Sequence, residues 1–137
     1  MIVVDTNVIS EVVRLEPSSA VMGWLAYPPD DIAVCSVTIG ELLTGIGMLP
    51  DGARRRGLAE AVEGELLKFA VRLPYDESAA RAYAEVCALA RRAGRALHTE
   101  DGMIAAICVS WGARLATRNV KDFDFLPISV VNPWDVQ

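Results

Sequence analysis

The sequence predicts an α/β fold: a central, mainly parallel sheet with helices on both faces, three layers in all. Two observations lead there. The runs Ile2-Val3-Val4 and Ile32-Ala33-Val34-Cys35 are short, wholly apolar and rich in β-branched residues, as strands buried on both faces are. Each run then passes into a stretch whose apolar residues recur at helical spacing, so strands and helices alternate along the chain. Parallel strands joined through helices require right-handed crossovers. With 137 residues and no repeat, linker or low-complexity stretch, a single domain over 1–137 has enough chain to bury a sizeable core.

The elements follow in order. After the first strand, Val8, Ile9, Val12, Val13 and Leu15 mark a helix. Glu16-Pro17-Ser18 breaks it, and Ser18 is placed to cap a short helix carrying Val21, Met22, Trp24 and Leu25. Tyr27-Pro28-Pro29-Asp30-Asp31 is a loop before the second strand, Ser36 to Leu49 a long helix, and Pro50-Asp51-Gly52 a turn. Leu58, Val62, Leu66 and Phe69 carry the next helical pattern, and Val71-Arg72-Leu73 is a short third strand. Asp76 caps a helix bearing Ala79, Ala80, Tyr83, Val86, Cys87 and Ala90, which Gly94 stops. Thr99 opens a helix to Trp111, and Gly112 holds the preferred C-terminal position. Arg114 to Thr117 is a strand, 119–125 a loop or single helical turn, and Ile128 to Val131 the last strand before Pro133.

Composition excludes several classes. A net charge of −5 argues against a protein that merely coats nucleic acid, which would be basic. Arg outnumbers Lys 11 to 2, a bias toward the side chain suited to bidentate phosphate contact. The longest apolar run, Met103 to Val109, is too short to span a bilayer, and no signal-peptide pattern opens the chain. No membrane association is expected. Cys35, Cys87 and Cys108 lie far apart without metal-type spacing and read as reduced thiols of a cytoplasmic protein. His98 is the single histidine, so no Ser-His-Asp or Cys-His arrangement is available. Gly45-Ile46-Gly47 ends a helix and is followed by Pro50, which rules out a dinucleotide fingerprint. Asp5-Thr6-Asn7 lacks the second Asp of phosphoaspartate phosphatases.

What remains is a set of carboxylates. Asp5 lies where a buried strand gives way to a helix, the edge at which open α/β sheets bind ligands, although it would also serve as a helix cap. Glu41 falls early in the helix after the second strand, where Thr38 and Glu41 also have capping-box spacing. Asp101 sits in the first turn of its helix, favourable to the helix dipole, yet shares a face with the apolar Ile104, Ala105, Cys108 and Trp111. Asp122 follows the strand ending at Thr117, and Asp124 competes for the same role. In a parallel α/β sheet, strand ends and helix starts share one edge, so Asp5, Glu41, Asp101 and Asp122 all fall on that edge, as four independent helix caps also would. Four converging carboxylates need a counter-charge, and oxygen ligands alone select Mg²⁺ or Mn²⁺, ions that serve phosphate chemistry.

The segments Ile-Val-Val-Asp-Thr-Asn-Val-Ile-Ser-Glu (2–11), Ser-Val-Thr-Ile-Gly-Glu-Leu (36–42), Asp-Gly-Met-Ile-Ala-Ala (101–106) and Thr-Arg-Asn-Val-Lys-Asp-Phe (117–123) resemble the PIN domain, and within it the VapC-type and FitB-like toxins of bacterial toxin–antitoxin pairs. The resemblance extends to Asn132-Pro133-Trp134, with motifs in family order; Gly102 departs from it, the family more often having Ala there. It implies a PIN fold and a Mg²⁺- or Mn²⁺-dependent endoribonuclease with Asp5, Glu41, Asp101 and Asp122 as its acids, the last chosen over Asp124 by the Asn-x-x-Asp-Phe slot. It implies Thr117 and Asn119 as polar supports beside the fourth acid, with Thr6 and Asn7 as supports in the first motif. It also implies a homodimer inhibited by a cognate antitoxin in a hetero-oligomer. Without the four acids the net charge of −5 becomes −1, and bound metal would then draw RNA to the cleft. Arg14, Arg118 and Lys121 are candidate RNA contacts, and Trp24 and Leu25, on a short apolar helix, candidate anchors for the antitoxin. A catalytically silent PIN-like interaction module and a metal-dependent small-molecule phosphohydrolase are the competing readings.

Overall fold

A computed structural model describes residues 1–135. Its elements run β1 (Ile2–Val4), α1 (Thr6–Val12), α2 (Ser19–Ala26), β2 (Ile32–Cys35), α3 (Ser36–Gly47), α4 (Ala53–Leu66), β3 (Val71–Leu73), α5 (Glu77–Arg92), α6 (Thr99–Trp111), β4 (Arg114–Ala116), a 3-10 turn (Val120–Asp122) and β5 (Val130–Val131). The strands form one sheet in the order β3-β2-β1-β4-β5, and every neighbouring pair is parallel. From β1 the chain moves outward through β2 to β3, then crosses back to the other side of β1 for β4 and β5. The order therefore reverses between β1 and β4, and the crevice outside their carboxyl ends is the natural ligand site of such a sheet.

Side chains alternate across the sheet with the period of a strand. Val3, Ala33, Cys35 and Leu115 face the layer of α5 and α6, packing with Val86, Ile104 and Ile107. Ile2, Val4, Val34 and Ala116 face the layer of α1 to α4, packing with Val8, Ile9, Leu42 and Val62. Ile2, Val3 and Val4 are all 0% exposed, so β1 is held from both sides, each side chain contributing about 1.5–3 kcal/mol. This central strand ends at Asp5.

The expected caps form. Ser18 Oγ accepts the Val21 N–H at 3.4 Å, and Asp76 Oδ1 accepts the Ala79 N–H at 3.0 Å. Gly94 (φ +65°) and Gly112 (φ +61°) end α5 and α6 in the left-handed conformation. Beyond each glycine a backbone bond of 2.9 Å closes the turn, Arg95 N–H to the Ala90 carbonyl and Ala113 N–H to the Cys108 carbonyl. Gly102 has a packing reason: a Cβ there would lie 2.9 Å from the Tyr83 ring, so glycine lets α6 approach α5.

Several expectations need correction. Trp24 is 5% exposed and packs in the core beneath α2, so it is no free anchor, and Leu25 is half-buried; Met22 and Tyr27 are the large exposed side chains of this region. Trp111, expected on the buried stripe of α6, is exposed because it stands in the last turn, beyond the sheet it would have to cover. Leu15 is fully exposed because α1 already ends at Val12. The carboxylate of Glu11 stops that helix: buried, it accepts the Ser18 N–H at 2.9 Å and pairs with Arg14 at 3.1 Å, turning the chain toward α2.

Candidate active site

Asp5 occupies the crevice between β1 and β4. Its N–H donates to the Ala116 carbonyl at 2.9 Å, extending the sheet by one bond. The side chain turns inward, 4% exposed, and accepts from the Thr6 N–H (2.7 Å), the Thr117 hydroxyl (2.7 Å) and Asn7 Nδ2 (3.2 Å). The bond from Thr6 makes Asp5 the cap of α1 as well, so both readings of this residue hold together. Burial pushes its carboxyl above the ordinary value, the three hydrogen bonds pull it back, and repulsion from Asp122 adds to the rise. Asn7 Nδ2 also donates to Thr117 Oγ1 at 3.2 Å, tying the end of β1 to the end of β4.

Glu41 projects from α3 toward the same place. The Thr6 hydroxyl donates to its Oε1 at 2.8 Å. The expected Thr38–Glu41 capping box does not form, because α3 starts at Ser36; Thr38 is fully buried beside Thr6 Oγ1 at 3.3 Å and Cys35 Sγ at 3.6 Å. Burial raises the Glu41 carboxyl, the Thr6 bond opposes this, and Asp5 and Glu100 add repulsion.

Asp101 enters from the first turn of α6, half-buried. Its carboxyl is pushed up to about 6, first by burial and then by the charges of Asp5, Glu41 and Asp122, with His98 partly offsetting them. A carboxylate serving only a helix dipole would be held down, not up.

Asp122 is placed differently. It lies on the exposed 3-10 turn and does not line the cleft, yet its charge raises both Asp5 and Asp101. Asp124 is drawn off by Arg95, whose Nη1 stands 2.9 Å from Asp124 Oδ1. Thr117, expected as a support for the fourth acid, supports the first. Asn119 enters through its backbone, its N–H donating to Thr117 Oγ1 at 3.1 Å.

Asp5, Glu41 and Asp101 open onto one cleft of about 460 Å³. Its rim carries two of the three expected cations. Arg14 pairs with Glu11, and the Arg118 guanidinium stacks 5.0 Å above the Trp134 ring while the Arg118 backbone N–H donates to Asn7 Oδ1 at 3.3 Å. Lys121 is exposed and does not line the cleft. Sequence reasoning assigns no role at the cleft to Glu11, Glu100 or Trp134, although Glu11 and Trp134 lie in the matched segments. Glu100 adjoins Asp101 and was within reach of a search for paired acids. Trp134 was not, since only the Asn132 Oδ1 bond to its N–H (3.0 Å) turns that C-terminal aromatic back toward the cleft.

The donor set fits a hard divalent ion. It offers carboxylate oxygens held by hydroxyl and amide groups, and the negative charges destabilise one another. Among the described residues no three His, Cys, Asp or Glu side chains are grouped closely enough to cage an ion.

The profile of the PIN domain matches residues 2–126. Over 98% of its length the chain is 41% identical to the plasmid stability protein StbB of Pseudomonas syringae pv. tomato and 39% identical to the VapC ribonuclease Y4jK of Sinorhizobium fredii, covering 99% of each. The crystal structure of FitAcB from Neisseria gonorrhoeae superposes with a TM-score of 0.89 at 35% identity, over 99% of this chain and 100% of that one. Full-length identity of this order, on the same fold and with the acids at the sheet's switch point, shows the family: the chain belongs to the PIN domain family, in the branch that holds the VapC ribonucleases and the FitB toxin.

Proposed function

We propose that this protein is the toxin of a toxin–antitoxin pair and cuts RNA as a divalent-metal-dependent endoribonuclease, with Asp5, Glu41, Asp101 and Asp122 as its acids. The observation that carries the reading is the gathering of Asp5, Glu41 and Asp101 on one cleft at the switch point, with the Asp101 carboxyl pushed up to about 6 by burial first and then by the charges of Asp5, Glu41 and Asp122. Such a site is costly to the fold by itself. Its charge is answered when Mg²⁺ or Mn²⁺ binds, an ion that polarises a phosphoryl oxygen and activates water.

The chain's own residues do the positioning. Thr117 and Asn7 fix the Asp5 carboxylate from β4 and α1, and the Thr6 hydroxyl aims Glu41 from the opposite wall. Asp101 is ionised for the most part at pH 7 and is the acid most ready to give up a proton or take one. Asp122 takes the fourth place over Asp124, which Arg95 neutralises. Arg14 and Arg118 stand on the rim where a phosphate backbone would enter, and Lys121 is an exposed cation beside Asp122, outside that rim.

Toward partners, an apolar groove of about 720 Å³ between α1, α3 and α4 runs into the acidic cleft and shares Thr6, Arg14 and Glu41 with it. A segment of a small antitoxin lying there would reach the acids. Met22, Tyr27, Met48 and Trp111 offer exposed apolar surface for that partner and for a second copy of the chain. No helix among the described residues is long and apolar enough to cross a membrane.

The test incubates purified protein with structured RNA and with a generic phosphomonoester. RNA cleavage that stops with EDTA and returns with Mg²⁺ or Mn²⁺ is the expected result. Cleavage that persists after chelation removes the metal from the account, and turnover of the phosphomonoester in place of RNA makes the protein a small-molecule phosphohydrolase.

A further inference from the structure

Asp122 is the exposed acid of the four, and among the described residues its carboxylate accepts no hydrogen bond. Something else must hold the turn that carries it. The inner side of that turn is anchored by Phe123 and Leu126, both buried. Backbone bonds close the turn itself, Asp122 N–H to the Asn119 carbonyl at 3.0 Å and Phe123 N–H to the Val120 carbonyl at 3.1 Å, and on its outer side Arg95 ties it to the end of α5 through three contacts. Its Nη1 pairs with Asp124 Oδ1 at 2.9 Å, its Nη2 donates to the Lys121 carbonyl, and its Cζ lies 4.9 Å over the Phe125 ring. These contacts fall on residues 121, 124 and 125, either side of Asp122. Arg95 is itself fixed at its root, because Gly94 turns left-handed and the Arg95 N–H closes onto the Ala90 carbonyl at the end of α5.

We infer that Arg95, through Asp124, is a positioning residue for Asp122: it clamps the 3-10 turn to the end of α5 and so fixes where the Asp122 carboxylate stands beside the cleft. This rests on the proposed metal site. Asp124 then has a part of its own, as the seat of the clamp and not as an alternative acid. Arg suits the place because its planar fork can take a carboxylate and a carbonyl together while stacking on an aromatic ring; Lys offers one point charge.

The experiment is calorimetric Mn²⁺ binding by the full chain, with Asp122→Asn, Arg95→Ala, Arg95→Lys, Asp124→Asn and the Arg95→Ala/Asp122→Asn double variant, beside Arg92→Ala as a surface control. Loss of an outer-sphere support typically weakens metal binding by about 10–100-fold; acting through the backbone, Arg95→Ala should fall at about 10-fold. Arg95→Lys and Asp124→Asn should lie between it and wild type, and Arg92→Ala should match wild type. The double variant should bind no more weakly than Asp122→Asn alone, a non-additivity that general loosening of the fold would not give. Should Arg95→Ala melt too low to titrate, Asp124→Asn alone carries the comparison. If Asp122→Asn weakens Mn²⁺ while Arg95→Ala and Asp124→Asn bind as wild type does, the clamp is refuted and the metal site stands. If Asp122→Asn itself binds as wild type does, the assignment of Asp122 fails and the clamp with it.

Discussion

Asp5 and Asp122, two of the proposed acids, are held by opposite kinds of structure. Asp5 ends the central strand, is 4% exposed, and is held by a backbone N–H, a hydroxyl and an amide drawn from β4 and α1. Asp122 rides an exposed 3-10 turn whose outer side rests on a single arginine. The sheet over-determines one acid, and a surface clamp sets the other. A site built this way has a rigid half, formed as soon as the core forms, and a half that can yield without disturbing the core.

The largest effect should come from the rigid half. Asp5→Asn keeps the size of the side chain and most of its hydrogen bonds but removes the charge the cleft is built around. Cleavage of RNA should vanish while the melting temperature stays within a few degrees of wild type. A variant that still cuts at the wild-type rate would dissolve the distinction between the two acids.

Next come the supports. Thr117→Val preserves shape and deletes the 2.7 Å bond to Asp5, so metal affinity or activity should drop by about 10–100-fold. Leaving a buried carboxylate one donor short should also cost about 1–3 kcal/mol of stability, read from denaturant unfolding. Asp122→Asn should lower activity with no such loss of stability, since its carboxylate is exposed. Equal destabilisation by the two substitutions would show that the turn is as much part of the core as the strand end.

The pH dependence is smaller and has a definite sign. Metal competes with protons for the acids, and Asp101 titrates near 6. Mn²⁺ affinity measured by calorimetry should be near its plateau at pH 7.5 and about tenfold lower at pH 5, where such a carboxyl is only about one-tenth ionised. An affinity that is flat across this range would remove Asp101 from the metal's surroundings.

The same contrast explains what the sequence disclosed. Ile2-Val3-Val4-Asp5-Thr6-Asn7 shows a buried strand, its end and its polar groups within six residues, so local pattern sufficed for the sheet, its direction and the first acid. Gly112 and Asp76 marked helix ends by chemistry that is equally local. What stayed hidden depends on contacts distant in sequence. The Thr6–Glu41 bond spans 35 residues, and it stands where spacing alone had offered a Thr38–Glu41 capping box. The pairing of Asp124 with Arg95 joins residues 29 apart. Two helices as short as α1 and α2 suggest that Trp24 stays uncovered, but it is buried in the same core cluster as Ile2 and Val4.

The smallest expected change bears most directly on the central claim, that the acids face one another across the cleft and a divalent ion answers their charge. The Asp101 carboxyl is raised from an ordinary 3.8 to about 6, so the folded chain holds its proton more tightly than the unfolded one does. Its effect on the metal-free protein is absent below about pH 4 and grows into a loss of stability as pH rises through about 6. Because the group is about half exposed, screening brings that loss to on the order of 1 kcal/mol, which is roughly 3–5 °C for a domain of this size. Four melting curves at pH 7.5 in low salt, wild type and Asp101→Asn, each with and without Mg²⁺, read it out. Without metal the variant should melt a few degrees above wild type; with Mg²⁺ wild type should rise more and close or reverse the gap. A metal-free variant that melts below wild type, with both proteins responding equally to Mg²⁺, would reduce Asp101 to a helix-end residue and contradict the account.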